Sequence, residues 1–177
     1  LEWVVHGERR LYANRWVNLD QVDVELPDGE RFWHHVVRMQ RVVAVLVLDD
    51  AGEKVLLIWR HRFIAGTWGW EVPTGIVEEG EESLAAAARE VEEETGYRPG
   101  RMEPLFSYQP CIGIADTPHE LLLARSAERV GEPSETNEAA EVAFFDASEV
   151  EELISSGKVH DGTTLLALVA FLRERHR

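Results

Sequence analysis

Short apolar runs separated by turn residues occupy the first forty positions. Apolar positions cluster at 16–19, 22–26 and 31–39, and Pro27-Asp28-Gly29 falls between the second and third. That order predicts strand, strand, tight turn, strand, because proline presets φ and glycine tolerates the remaining turn geometry. From 42 to 48 the chain is almost continuously apolar and β-branched; Asp49-Asp50-Ala51-Gly52 interrupts it and an apolar run resumes over 55–59. A buried hairpin is predicted. Between 62 and 75, Gly66, Gly69, Pro73 and Gly75 predict little regular structure, although Phe63, Trp68 and Trp70 sit among them. A helix is predicted over 81–95, where Leu84, Ala87, Ala88 and Val91 recur at three- and four-residue spacing and Gly96 provides a stop. Further strands are predicted near 103–108, 120–125 and 142–145, and helices over 147–155 and 163–175. Strands flanked by helices around one core predict an α/β sandwich, with residues 1–41 as an appended β subdomain and residues 42–177 as the main domain.

The chain's 177 residues match the size of one ordinary domain with an appendage. Eighteen Lys and Arg against 33 Asp and Glu leave a net charge of −15, the wrong sign for attraction to a nucleic-acid backbone. The expected partners therefore exclude nucleic acid. No apolar stretch approaches the roughly 18 residues that span a bilayer, so no membrane association is expected. Residues 1–10 carry no apolar signal core, and with Cys111 as the single cysteine the expected location is cytoplasmic.

The helix over 81–95 breaks the usual charge rules. Eight glutamates (Glu78, Glu79, Glu81, Glu82, Glu90, Glu92, Glu93 and Glu94) fall between positions 78 and 94. Four of them crowd the helix C-terminus, where the macrodipole disfavours carboxylates by roughly 0.3–1 kcal/mol each. At about 100° per residue, Glu94 and Glu93 lie about 40° and −60° from Glu90, whereas Glu92 points nearly backwards. The three-carboxylate face borders the apolar stripe, and the small Ser83 and Ala86 one turn earlier predict open space above Glu90. Crowded carboxylates need a counter-charge. All-oxygen donors suit Mg²⁺ or Mn²⁺, and Arg89 adds an i, i+4 contact to Glu93; the lone cysteine and scattered histidines argue against zinc.

Written out, Gly75, five residues, Glu81, seven residues, then Arg89-Glu90-Val91-Glu92-Glu93-Glu94-Thr95-Gly96-Tyr97 resembles the Nudix box of the Nudix hydrolase superfamily. Seven fixed identities are matched over 23 positions; Tyr97 departs only in being aromatic where a bulky aliphatic residue is usual. The resemblance implies a Nudix-type α/β/α sandwich with a mixed sheet. It also implies hydrolysis, with Mg²⁺ or Mn²⁺, of a nucleoside diphosphate linked to another moiety. Carried over by position, Glu90 and Glu94 are metal ligands, Glu93 is a further ligand or water-orienting carboxylate, and the Thr74 carbonyl is a possible fourth donor. Glu81 and Arg89 brace the loop-helix-loop, Gly75 allows its tight turn and Gly96 ends the helix.

Outside the box the chain resembles the ADP-ribose pyrophosphatase branch, through its N-terminal strands, Arg60-His61-Arg62 and Glu71-Val72-Pro73-Thr74-Gly75. ADP-ribose, cleaved to AMP and ribose 5-phosphate, is the leading expectation. Ser107-Tyr108-Gln109-Pro110-Cys111-Ile112-Gly113 departs from that branch, so GDP-mannose or another nucleotide sugar is an alternative, followed by nucleoside triphosphates and a non-catalytic nucleotide sensor. By the same resemblance, Glu138 and then Glu135 are candidate general bases. Arg62, Arg60, Trp70 and Glu120 are candidate substrate contacts. The unpaired edges of residues 1–41 and the apolar load of Trp3, Trp16 and Trp33 predict a homodimer, with this subdomain contributing to dimerisation and to the base pocket.

Overall fold

The computed structural model describes residues 1–134 and 140–175. In chain order the strands are β1 (Val4–Ala13), β2 (Val17–Glu25), β3 (Arg31–Met39), β4 (Val42–Val47), β5 (Val55–Arg62), β6 (Thr67–Glu71) and β7 (Thr74–Ile76). Helix α1 (Ser83–Thr95) follows, then β8 (Tyr97–Pro99), β9 (Met102–Tyr108), β10 (Ala115–Asp116), β11 (His119–Ala124), β12 (Ala127–Arg129) and β13 (Glu141–Phe145). Helices α2 (Ala147–Ser155) and α3 (Gly162–Arg175) complete the described chain. Its contacts divide into two units, Leu1–Arg41 with Tyr108–His119, and Val42–Ser107 with Glu120–Arg177.

The first unit is a sheet in the order β1-β2-β3-β10. Its three long strands are antiparallel, and β10 joins β3 in parallel. The two apolar runs at 16–19 and 22–26 form one strand, β2, and all ten residues of β1 are exposed. With no buried face, β1 gives no clear alternation of apolar and polar residues, so sequence periodicity misses it. Charge pairs knit the sheet together: Arg10 of β1 to Asp20 of β2 at 2.7 Å, and from β3 Arg38 to the same carboxylate at 3.0 Å and Arg31 to Asp23 at 2.5 Å. The guanidinium hydrogen bonds hold both aspartates below the ordinary carboxylate range.

The second unit contains sheets in the orders β7-β4-β11-β9 and β13-β5-β6, and the two-stranded pair β12-β8. The apolar runs of β4 and β5 do not form the expected hairpin ladder. They share the Leu48–Val55 bridge but no extended ladder, and enter different sheets, which lets both strands be buried on both faces. The segment expected to be irregular holds β6 and β7. There β6 pairs with β5 from Ile58–Glu71 to Arg62–Thr67, and Trp70 and Trp68 lie opposite Trp59 and His61. Helix α1 packs on β4 and β7, and α3 on β4 and α2. The core gathers Val43, Val45, Val47, Leu56, Ala86, Ala87, Val91 and Leu122. Asp146 starts α2 through a reciprocal capping box with Glu149.

The buried arc of α1 is rotated from the expected stripe. Leu84 is exposed, whereas Ala86, Ala87, Val91, Glu94 and Thr95 are buried. Ala86 therefore leaves no open space above Glu90; it is part of the core. The rotation carries a carboxylate, Glu94, inside, which is tolerable only because the opposing sheet supplies a cation.

Candidate active site

Three segments converge on α1: the β5–β6 hairpin, β7, and the loop after β7 that carries Glu78 and Glu81. Gly75 lies in β7, opposite Val43. Its φ is outside the left-handed region, so glycine is not required for the expected tight turn. Close approach requires it instead, because a Cβ there would overlap the side chain of Glu90. Gly96 ends α1 with φ 72°, its N–H bonded to the Glu92 carbonyl at 2.9 Å, as the stop signal predicts.

Arg89 ties the loop to the helix. Its Nε and Nη2 donate to the two oxygens of Glu81, each at 3.1 Å, and Nη2 also reaches the Ile76 carbonyl at 3.3 Å. Nη1 donates to Glu90 at 2.7 Å and to Glu93 at 3.1 Å. These hydrogen bonds, those to Glu81 foremost, raise the Arg89 pKa and hold Glu81 below its usual range. Glu92 faces away, paired with Arg98 at 2.9 Å.

Glu94 is only 1% exposed. It pairs with the equally buried Arg60 and accepts the Thr74 N–H at 3.1 Å. Burial pushes its pKa up to about 7, against the opposing pull of the Arg60 charge. Arg60, expected on the substrate, is thus spent inside the fold. Trp70, expected as a substrate contact, is also buried. Trp59 lies 5.4 Å from it centroid to centroid and Phe145 4.6 Å, edge on. Arg62 remains half exposed and donates to Glu71 at 2.6–3.0 Å. Glu120 accepts a hydrogen bond from Ser83 at 3.1 Å, which places it beside the N-terminus of α1. Glu135 and Glu138 lie outside the described residues.

The fold thus brings Glu81, Arg89, Glu90, Glu93, Glu94 and Thr74 together, and sequence reasoning missed Glu71. The available signal was an acidic residue between Trp70 and Val72 on a strand facing Arg60 and Arg62. The donor set is one of hard oxygens, three carboxylates with the Thr74 carbonyl in the adjacent strand, and by its chemistry it fits Mg²⁺ or Mn²⁺. Among the described residues no three acidic, histidine or cysteine groups converge as a formed metal site; Arg89 and Arg60 hold the carboxylates in ion pairs instead.

A helix of carboxylates braced by arginine against a glycine-bearing strand is the Nudix arrangement, and the NUDIX domain model matches residues 38–166: the chain belongs to this family. It is a Nudix pyrophosphohydrolase. It is 41% identical over 172 residues, 97% of this chain and 83% of the other protein, to a CMP-5'-(N-acetyl-N-hydroxy-3-aminopropyl)phosphonate hydrolase of Streptomyces rubellomurinus. It is 30% identical over 173 residues to an ADP-ribose pyrophosphatase of Bacillus subtilis, covering 95% and 91% of the two chains. The fold matches the crystal structure of an ADP compounds hydrolase with a TM-score of 0.84 at 16% identity, over 99% of this chain and 94% of that one. Among the described residues no helix is long and apolar enough to cross a membrane.

Proposed function

We propose that the chain hydrolyses the phosphoanhydride joining a nucleoside 5'-monophosphate to the phosphate or phosphonate of a non-nucleotide moiety. The observation that carries this reading is the complete carboxylate face of α1, backed by Arg89 and Gly75 and flanked by the half-exposed Arg62. A bound Mg²⁺ or Mn²⁺ supplies neutralisation of phosphoryl charge and a lowered pKa for water. Glu90, Glu94 and Glu93, with the Thr74 carbonyl, are the residues that would hold it. Glu93, the most exposed of the three carboxylates, also orients the attacking water. Arg62 takes a phosphoryl oxygen of the substrate, and Glu138, or else Glu135, is the base. Glu81 and Arg89 act by fixing the helix against its loop.

Two substrates lead. The 41% similarity to the CMP-phosphonate hydrolase favours a cytidylyl-linked phosphonate, and the 30% similarity to the ADP-ribose pyrophosphatase favours ADP-ribose. Purified protein is to be offered both, with GDP-mannose and nucleoside triphosphates, in Mg²⁺ and in Mn²⁺, and the nucleotide products separated. CMP released from the phosphonate conjugate supports the first substrate, and AMP with ribose 5-phosphate supports the second. Turnover of triphosphates alone, or of nothing, rejects the proposal.

The same reading makes the protein a homodimer through its first unit. Trp3, Trp16 and Trp33 are 53%, 51% and 44% exposed there, and β1 is an uncovered sheet edge. A monomeric mass by light scattering rejects this.

A further inference from the structure

The half-exposed Arg62 is held by a residue to which no role has been assigned. Glu71 is buried, its side chain 7% exposed, whereas that of Arg62 is 49% exposed. The contact uses one edge of the guanidinium. Nε lies 3.0 Å from each oxygen of Glu71, and Nη2 lies 2.6 Å from one of them. Nη1, on the other edge, makes no hydrogen bond among the described residues. Arg62 lies two residues along β5 from Arg60, the partner of Glu94, and it feels the charges of both Glu94 and Asp161. It therefore stands beside the box carboxylates with one donor edge fixed and one free.

We propose that Glu71 is a positioning residue: by holding the Nε and Nη2 edge of Arg62, it presents the Nη1 edge to the anionic phosphoryl oxygens of the substrate. This rests on the reading that Arg62 binds the substrate. A planar guanidinium on a flexible stem loses rotamer freedom when it binds an anion, and a buried carboxylate that has already fixed the plane removes much of that cost. It also holds a cation next to an acidic cluster without neutralising it fully, because the second edge stays open. Glu71 touches no reacting atom in this scheme.

The test uses magnesium pyrophosphate, which contains the linkage common to every candidate substrate, and measures its affinity by calorimetry for the intact protein, Glu71→Gln, Arg62→Ala and the double variant. Thermal melts are recorded for all four. Glutamine keeps the volume and an acceptor oxygen but removes the charge. The expected result is that E71Q and R62A each weaken pyrophosphate binding by roughly tenfold. In the R62A background E71Q should add less than about twofold, because its effect passes through the arginine. Where a substrate is turned over, KM should rise more than kcat falls. An E71Q effect of equal size in the presence and absence of Arg62 overturns the inference, since a merely structural role would act in both backgrounds. So does unchanged affinity in E71Q when R62A binds weakly, although Arg62 then keeps its role. No change in R62A, or no pyrophosphate binding by the intact protein, removes the substrate role of Arg62 and the inference with it.

Discussion

Replacing Arg60 by methionine isolates the electrostatics of the buried pair. Arg60 and Glu94 are 3% and 1% exposed, and the second oxygen of Glu94 is already engaged by the Thr74 N–H. Methionine keeps most of the volume, so the cavity cost is small and the lost charge dominates. At pH 8 Glu94 is ionised in the intact protein, and without its cation the buried carboxyl takes up a proton instead, which for a pKa of about 7 costs about 1.4 kcal/mol; with the lost hydrogen bond the loss is about 2–2.5 kcal/mol. In a chain of this length that corresponds to a fall in Tm of roughly 4–10 °C. At pH 5 Glu94 is already protonated in the fold, because burial lifts its pKa from 4.5 to about 7. The same substitution should then cost only about 1 kcal/mol, the worth of an ordinary hydrogen bond. Urea denaturation of both proteins at pH 5 and pH 8, with chelator present, measures the difference. An equal loss at the two pH values, or a loss under about 1 kcal/mol at pH 8, would refute the claim that the pair is held as buried charges.

The raised pKa of Glu94 also sets a slope for the unsubstituted protein. A folded-state pKa above the unfolded one means that the fold holds a proton the unfolded chain releases. Metal-free stability should therefore fall as pH rises from about 4.5 to about 7, and Glu94→Gln should flatten that slope in urea melts. Because a cation needs the carboxylate, Mg²⁺ or Mn²⁺ affinity measured by calorimetry should rise over the same interval, with proton release. Gly75→Ala should displace Glu90 but leave the backbone unstrained. Turnover should fall by at least about tenfold, with a loss of about 1–3 kcal/mol in thermal melts. Gly96→Ala meets two obstacles, a left-handed φ of 72° and the Gly131 carbonyl against the new Cβ, and should cost more than the roughly 1 kcal/mol of the φ alone.

By itself the sequence determined the local elements and the chemistry. Periodicity set α2 to within a residue at each end, and α1 and α3 nearly so, and the strands β9, β11 and β13 emerge close to their predicted positions. The box spacing put Glu90, Glu93 and Glu94 on one side of a helix and Arg89 beside them, because helical geometry depends only on separation along the chain. The tertiary structure decided what each group faces. Only the entry of β4 and β5 into different sheets, with β6 folded back on β5, places Arg60 against Glu94 and Glu71 against Arg62. Pairing between residues 34 and 9 positions apart is set by sheet register and packing, and neither leaves a periodic trace in the chain. The same holds for Gly75, whose missing side chain serves contact with a helix fifteen residues later, and for Trp70 and Arg60, which sequence places near a ligand and packing places in the interior. An element's type follows from local sterics and hydrophobic pattern, whereas burial of a charge depends on whether a counter-charge arrives from elsewhere in the fold.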